Sequence, residues 1–160
     1  YLRAKDLIPS EESIWFEQGP MLIARLCPMD YHRYHYPDDG TTYKSYQRFG
    51  RYHSVNPIAL KHRPDCFIKN ERRVSILHTA NFGYLAYIEV GALFVGAIDQ
   101  VHNENEPFKR GDLKGMFHFG GSTVIVIGEK DRWTPSADLL EQSYQGMETY
   151  VKLGDSVASL

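Results

Sequence analysis

Val74-Ser75-Ile76-Leu77-His78-Thr79 and, a few residues on, Tyr84-Leu85-Ala86-Tyr87-Ile88-Glu89-Val90 are short runs of apolar, β-branched and aromatic residues. That is the composition of buried strands. The same reading extends outward in both directions. Met21 to Cys27 (MLIARLC) reads as a buried strand ended by Pro28, and Thr123 to Ile127 (TVIVI) as another. Val90 to Ile98 (VGALFVGAI) fits a buried strand or a short buried helix, and its β-branched residues and glycines favour the strand. Lys109-Arg110-Gly111-Asp112 is a turn signal leading into a strand at Met116 to Phe119. Only Ser136 to Tyr150 reads as a helix, capped by Ser136 and carrying Leu139, Leu140 and Tyr144. Short strands at intervals of roughly ten residues predict a mainly β (α+β) fold: a sandwich- or barrel-like domain of short strands with few short helices. Repeats, low-complexity tracts and linkers are missing, so residues 1–160 are expected to form a single domain.

Composition narrows the function classes. With 18 basic and 20 acidic residues the formal net charge is −2, which gives no electrostatic footprint for nucleic acid and no domain-wide basic patch for anionic lipid. The local clusters Lys61-His62-Arg63 and Lys69 to Arg73 read as solvated loop charges. Cys27 and Cys66, without a CxxC, read as free thiols rather than as a disulfide framework or a zinc ribbon. The longest apolar run, between Glu89 and Asp99, is far shorter than the roughly 20 residues of a membrane-spanning helix. The chain opens at Tyr1 in mid-pattern, and an upstream portion is expected.

Two stretches carry chemistry-bearing side chains. In Asp30-Tyr31-His32-Arg33-Tyr34-His35-Tyr36-Pro37 the histidines are three apart, so they share a face on a helix but oppose one another on a straight strand. Pro37 and Asp38-Asp39-Gly40 argue against a continuing helix, so a site using both histidines needs a bend in the chain. A metal needs further ligands that this stretch does not offer, and no metal is expected. In Phe119-Gly120-Gly121-Ser122-Thr123-Val124 a serine follows two glycines at the mouth of an apolar strand. It is not a GxSxG elbow, and by itself it reads as a turn between strands.

Taken in order and spacing, these stretches are more specific. With Ile23 to Arg33, Ser54-Val55-Asn56-Pro57, Asn70-Glu71-Arg72, Val90-Gly91-Ala92, Val95 to Ile98 and Lys114 to Thr123, the chain resembles the phosphatidylserine decarboxylase family over nearly its whole length. The resemblance implies a proenzyme that cuts itself at the Gly121-Ser122 bond of a GST triplet. Ser122 Oγ attacks the Gly121 carbonyl, and the amide becomes an ester. Elimination leaves dehydroalanine, which hydrolyses to a pyruvoyl group and ammonia. Glycine leaves the attacked carbonyl unhindered, and a serine hydroxyl needs a base in reach. By motif position that base is His35, with His32 beside the substrate for decarboxylation and proton transfer. The pyruvoyl ketone condenses with a substrate amine and accepts the electrons released as CO₂ leaves, so neither PLP nor a metal is implied. Cleavage would give a β chain ending at Gly121 and an α chain beginning at the converted Ser122, the two remaining associated. The family's triad aspartate lies upstream of the DYHRxH motif, and the KDLIPS context of Asp6 does not match it.

The function implied is decarboxylation of phosphatidylserine to phosphatidylethanolamine by a peripherally membrane-associated homo-oligomer. Alternatives are the same chemistry on a free aromatic amino acid, as in tryptophan decarboxylase-like relatives, or an unprocessed, non-catalytic homologue. The Gly111-Asp112 turn followed by Lys114-Gly115 resembles the hammerhead of lipoyl and biotinyl carriers, but Lys114 lies in no carrier tip motif. A serine hydrolase using His35 and Ser122 would need the serine that relatives convert. His118 reads as a polar residue on a hairpin strand, close enough to the cleavage site to tune it. Tyr31 and Phe119 are expected to wall the pocket, while His53, His62, His78 and His102 receive no role.

Overall fold

The computed structural model describes residues 2–63, 65–92, 97–101, 105–118 and 122–160. Its strands are β1 (Met21–Leu26), β2 (Arg33–His35), β3 (Gly40–Arg48), β4 (Arg72–Thr79), β5 (Gly83–Val90), β6 (Ala97–Gln100), β7 (Pro107–Phe108), β8 (Leu113–His118) and β9 (Ser122–Gly128). Two-residue segments at Thr134–Pro135 and Ala158–Ser159 pair with each other. The helices are short: α1 (Ala4–Leu7), a 3₁₀ turn at Glu11–Phe16, α2 (Pro57–His62), α3 (Cys66–Lys69) and α4 (Ala137–Tyr144). This is the mainly β architecture that the strand spacing predicts.

An antiparallel sheet in the order β1-β9-β5-β4-β3-β7 forms the body, and a second sheet, β2-β8-β6, packs on one of its faces. Alternation along β4, β5 and β9 explains both layers. Val74, Ile76, Ala86, Ile88, Val90, Ile125 and Ile127 point to one face, which the N-terminal segment covers with Leu7, Ile8 and Phe16. Leu77, Leu85, Tyr87 and Val124 point to the other, where they meet Tyr34 and Tyr36 of the β2 segment, Phe108 and Phe117. Strands buried on both faces read as continuous apolar runs, which is why these segments are so plain in the sequence.

The predicted elements shift in detail. Only the ends of the predicted 90–98 strand can be followed: β5 stops at Val90, β6 begins at Ala97, and residues 93–96 lie outside the described residues. The predicted 136–150 helix is shorter, because the chain turns at Gly146, whose φ of +72° ends it. Ser136 stands at its N-cap but spends its hydroxyl on the Val157 carbonyl, 3.0 Å away. The longest strand, β3, was not predicted; its Thr-Thr-Tyr-Lys-Ser-Tyr-Gln-Arg core is polar and half-exposed. The turn at 109–112 is present: Gly111 has φ +86°, and the Lys109 N–H donates to the Asp112 carboxylate at 2.8 Å.

The reading of Lys69 to Arg73 as solvated charge is corrected. Lys69 is an exposed residue of α3 paired with Asp65, but Arg72 is only 4% exposed. Its guanidinium donates to the carbonyls of Leu7 (3.0 Å), Ile68 (2.5 Å) and Asn70 (3.3 Å). It thus supplies a cation to the C-terminal ends of two short helices, where carbonyls lack intrahelical partners.

Candidate active site

The site is built where the two sheets meet. The Cys27–Asp30 turn, closed by the Asp30 carboxylate accepting from the Cys27 N–H at 2.7 Å, delivers the chain into β2. Period-2 alternation then divides the DYHRYH motif. Tyr34 is buried among the interlayer aromatics, and His32, two residues earlier, turns the same way. His32 Nδ1 lies 3.2 Å from Ser122 Oγ. Arg33 and His35 face outward. His35 Nδ1 lies 2.9 Å from the Gly111 carbonyl and its Nε2 3.0 Å from the Tyr31 hydroxyl, with the two rings stacked at 5.8 Å. The histidines therefore stand on opposite sides of the strand, and only His32 meets the serine.

Ser122 is the first residue of β9, opposite Leu26, and is fully buried. If Nδ1 of His32 accepts from its hydroxyl, Nε2 carries the proton and needs an acceptor. That atom is buried and has no partner among the described residues. An acceptor arriving from elsewhere in the protein or from a substrate would complete the relay. Thr123 Oγ1, one residue on and on the opposite face, is also buried without a partner among the described residues. Nearby, fully buried Asn70 donates to the carbonyls of His53 (2.7 Å) and Gly91 (2.8 Å), tying the Ser54-Val55 loop to the end of β5.

The interlayer space also holds an ion pair that the sequence reading missed. Lys114 and Glu89 are 1% and 0% exposed, with Nζ 2.6 Å from Oε1. Nζ also donates to Ser75 Oγ (3.0 Å) and Gln100 Oε1 (2.7 Å), and it lies 5.2–5.8 Å from the ring centroids of Tyr34, Tyr36 and Tyr87. Burial pushes the Glu89 carboxyl up and the Lys114 amine down, while each partner's charge opposes the shift in the other. Because Lys114 is a buried strand residue, it is no carrier-type hairpin tip. The only hint available in the sequence was a Glu inside an otherwise apolar strand run.

His118 ends β8 and meets the Asp99 carboxylate at 2.5 Å. Tyr31 is 49% exposed and stacks on His35 rather than lining the space around Ser122. Gly121, Phe119 and His102 lie outside the described residues. Cys27 and Cys66 are unbridged. Among the described residues, no grouping of three His, Cys, Asp or Glu could hold a metal, and no helix is long and apolar enough to cross a membrane.

Comparison with known proteins identifies the family. The family model described as phosphatidylserine decarboxylase matches residues 2–159. A phosphatidylserine decarboxylase proenzyme of Desulfitobacterium hafniense is 45% identical over 154 residues, 96% of this chain and 52% of the relative. Those of Clostridium tetani and Clostridium perfringens are 46% and 45% identical, over 96% and 90% of this chain and 52% and 49% of the relatives. The chain thus spans about half the length of the curated relatives it matches. On a match that runs from residue 2 to residue 159, the chain belongs to the phosphatidylserine decarboxylase family.

Proposed function

We propose that this chain carries the self-cleaving centre of a carboxy-lyase that converts phosphatidylserine to phosphatidylethanolamine, with Ser122 as the precursor of its pyruvoyl group. The observation that carries the reading is the fully buried Ser122 hydroxyl 3.2 Å from the His32 imidazole. His32 takes the hydroxyl proton, Oγ attacks the Gly121 carbonyl, and the proton passes to the departing Ser122 nitrogen as the amide becomes an ester. Removal of the Ser122 α-proton then expels the Gly121 carboxylate, and hydrolysis releases ammonia.

A pyruvoyl group fits at this position, because a dry, closed site protects a reactive ketone from water. When formed, it supplies the electron sink for loss of CO₂. His32 is then in reach to hand a proton to the substrate carbon. The family resemblance gives His35 the role of base for self-cleavage, and the 3.2 Å contact favours His32. β9 is hydrogen-bonded on both sides, to β1 and β5, which supports the expectation that the two pieces stay together after cleavage. The names of the relatives support phosphatidylserine over a free aromatic amino acid. Peripheral membrane contact and homo-oligomerisation belong to the same reading.

The test is the intact mass, under denaturing conditions, of the full-length protein that contains this chain. Two pieces split between Gly121 and Ser122, the second bearing a pyruvoyl group in place of its terminal amine, are expected. A single uncut chain that keeps Ser122 would overturn the proposal. Incubating the cut protein with phosphatidylserine vesicles and with tryptophan would then identify the substrate.

A further inference from the structure

We propose that the buried Glu89–Lys114 pair is a positioning device for self-cleavage, pinning the three-stranded sheet, and with it His32, at a set distance from Ser122. The inference rests on the self-cleavage proposed above. β8 ends at His118 in the three-stranded sheet, and β9 begins at Ser122 in the six-stranded one. Ser122 thus belongs to the six-stranded sheet, while the last described residue before it, His118, belongs to the three-stranded one. His32 also rides on the three-stranded sheet, because its carbonyl accepts the Phe117 N–H of β8 at 3.0 Å. The distance between the sheets thus sets the distance between nucleophile and base.

Most of what joins the sheets is apolar: Tyr34, Tyr87, Leu77, Leu85, Phe117 and Val124. Apolar contact is non-directional and tolerates sliding. Lys114 supplies direction. Tyr34 pairs with Gly115 and His35 with Leu113, so Lys114 is the extra residue of a β-bulge, a device that re-aims a side chain. Its three N–H bonds reach Glu89 on β5, Ser75 on β4 and Gln100 on β6. From Gln100 the connection continues: its Nε2 donates to the Tyr34 hydroxyl (2.8 Å), which donates to the Asp99 carbonyl (2.7 Å). Tyr34 is two residues from His32, which lies just before β2. Glu89 sits opposite Val124, one diagonal step across the ladder from Ser122. One network therefore grips the strand that follows the base, the strand whose Phe117 N–H holds the carbonyl of the base, and the strand next to the nucleophile.

Displacing reacting groups by about 1 Å slows a reaction by roughly a hundredfold, and that is the effect expected when the pin is removed. The test uses the full-length protein made in a cell-free reaction, with the uncut fraction followed by mass and folding by thermal denaturation. Lys114→Met alone leaves a buried carboxylate unpaired, so a low Tm is expected. The double variant Glu89→Met/Lys114→Met replaces the pair by apolar groups of similar volume, a change that buried ion pairs often tolerate. A near-wild-type Tm with cleavage slowed about a hundredfold is the expected result. A double variant that keeps its Tm and cuts at the wild-type rate shows a merely structural pair and overturns the proposal. Gln100→Met, which breaks the network at a half-buried residue, provides the decisive reading if the double variant does not fold. Cleavage slowed about tenfold at unchanged Tm supports the pin, and an unchanged rate overturns it. A wild-type protein that is never cut overturns the self-cleavage reading itself, an outcome distinct from any of these.

Discussion

Replacing His32 by Ala should stop self-cleavage, while replacing His35 by Ala should leave it largely intact. His32 Nδ1 stands 3.2 Å from Ser122 Oγ, within reach for proton transfer, and Ser122 is closed off from water that could substitute for it. A positioned general base contributes about 10²- to 10⁴-fold. At about 1.4 kcal/mol per tenfold, that is roughly 3–6 kcal/mol of barrier. His35 spends both ring nitrogens on the Gly111 carbonyl and the Tyr31 hydroxyl. Losing two bonds of about 0.5–1.5 kcal/mol each lowers stability by about 1–3 kcal/mol, with a cleavage rate within a few fold of wild type. The assay follows the uncut chain by intact mass from the moment of synthesis, with Tm measured on the same samples. If His35→Ala blocks cleavage at a preserved Tm while His32→Ala is cut normally, the geometric reading is wrong, and the base role belongs to His35 as the family resemblance has it.

Two further outcomes follow from buried and paired charges. Arg72→Met removes a guanidinium bonded to the carbonyls of Leu7, Ile68 and Asn70, and should cost about 3 kcal/mol, or roughly 6–12 °C of Tm for a domain of this size. An unchanged melting curve would return the residue to the solvated class. Glu148 receives two bonds from Arg25 (2.8 and 2.6 Å), which hold its carboxyl below the usual range. A lowered folded-state value means that the tie is present above the unfolded value and is lost as pH falls through the folded one. Hydrogen exchange in 145–157 should therefore quicken at pH 3 relative to pH 6, after correction for intrinsic rates. Glu148→Gln should show the quicker exchange at both; equal protection in both proteins would show that the pair holds nothing.

The central strands were legible because their burial on both faces leaves local apolar runs: VSILHT, YLAYIEV and TVIVI lie inside β4, β5 and β9. β3 was not, because a half-exposed strand of Thr, Tyr, Lys, Ser and Gln looks like a loop until its partners are known. The helix at α4 was drawn too long because apolar positions continue past Gly146, while the backbone does not. Arg72 was misread and the Glu89–Lys114 pair went unseen for one shared reason. A charge is buried only when distant groups are present to satisfy it, and those groups are far away in sequence.

By itself the sequence determined the strand-rich class, the DYHRYH and GGST words that carry the family, and the fact that two histidines three apart oppose each other on a strand. All of these follow from residue type and local period. Which histidine meets Ser122 was decided only by tertiary structure. The pairing of β2 with β8, and the packing of that sheet on β5 and β9, turn His32 toward the serine and His35 toward Gly111. Strand alternation sets two sides, but only a partner surface gives one of them an inside.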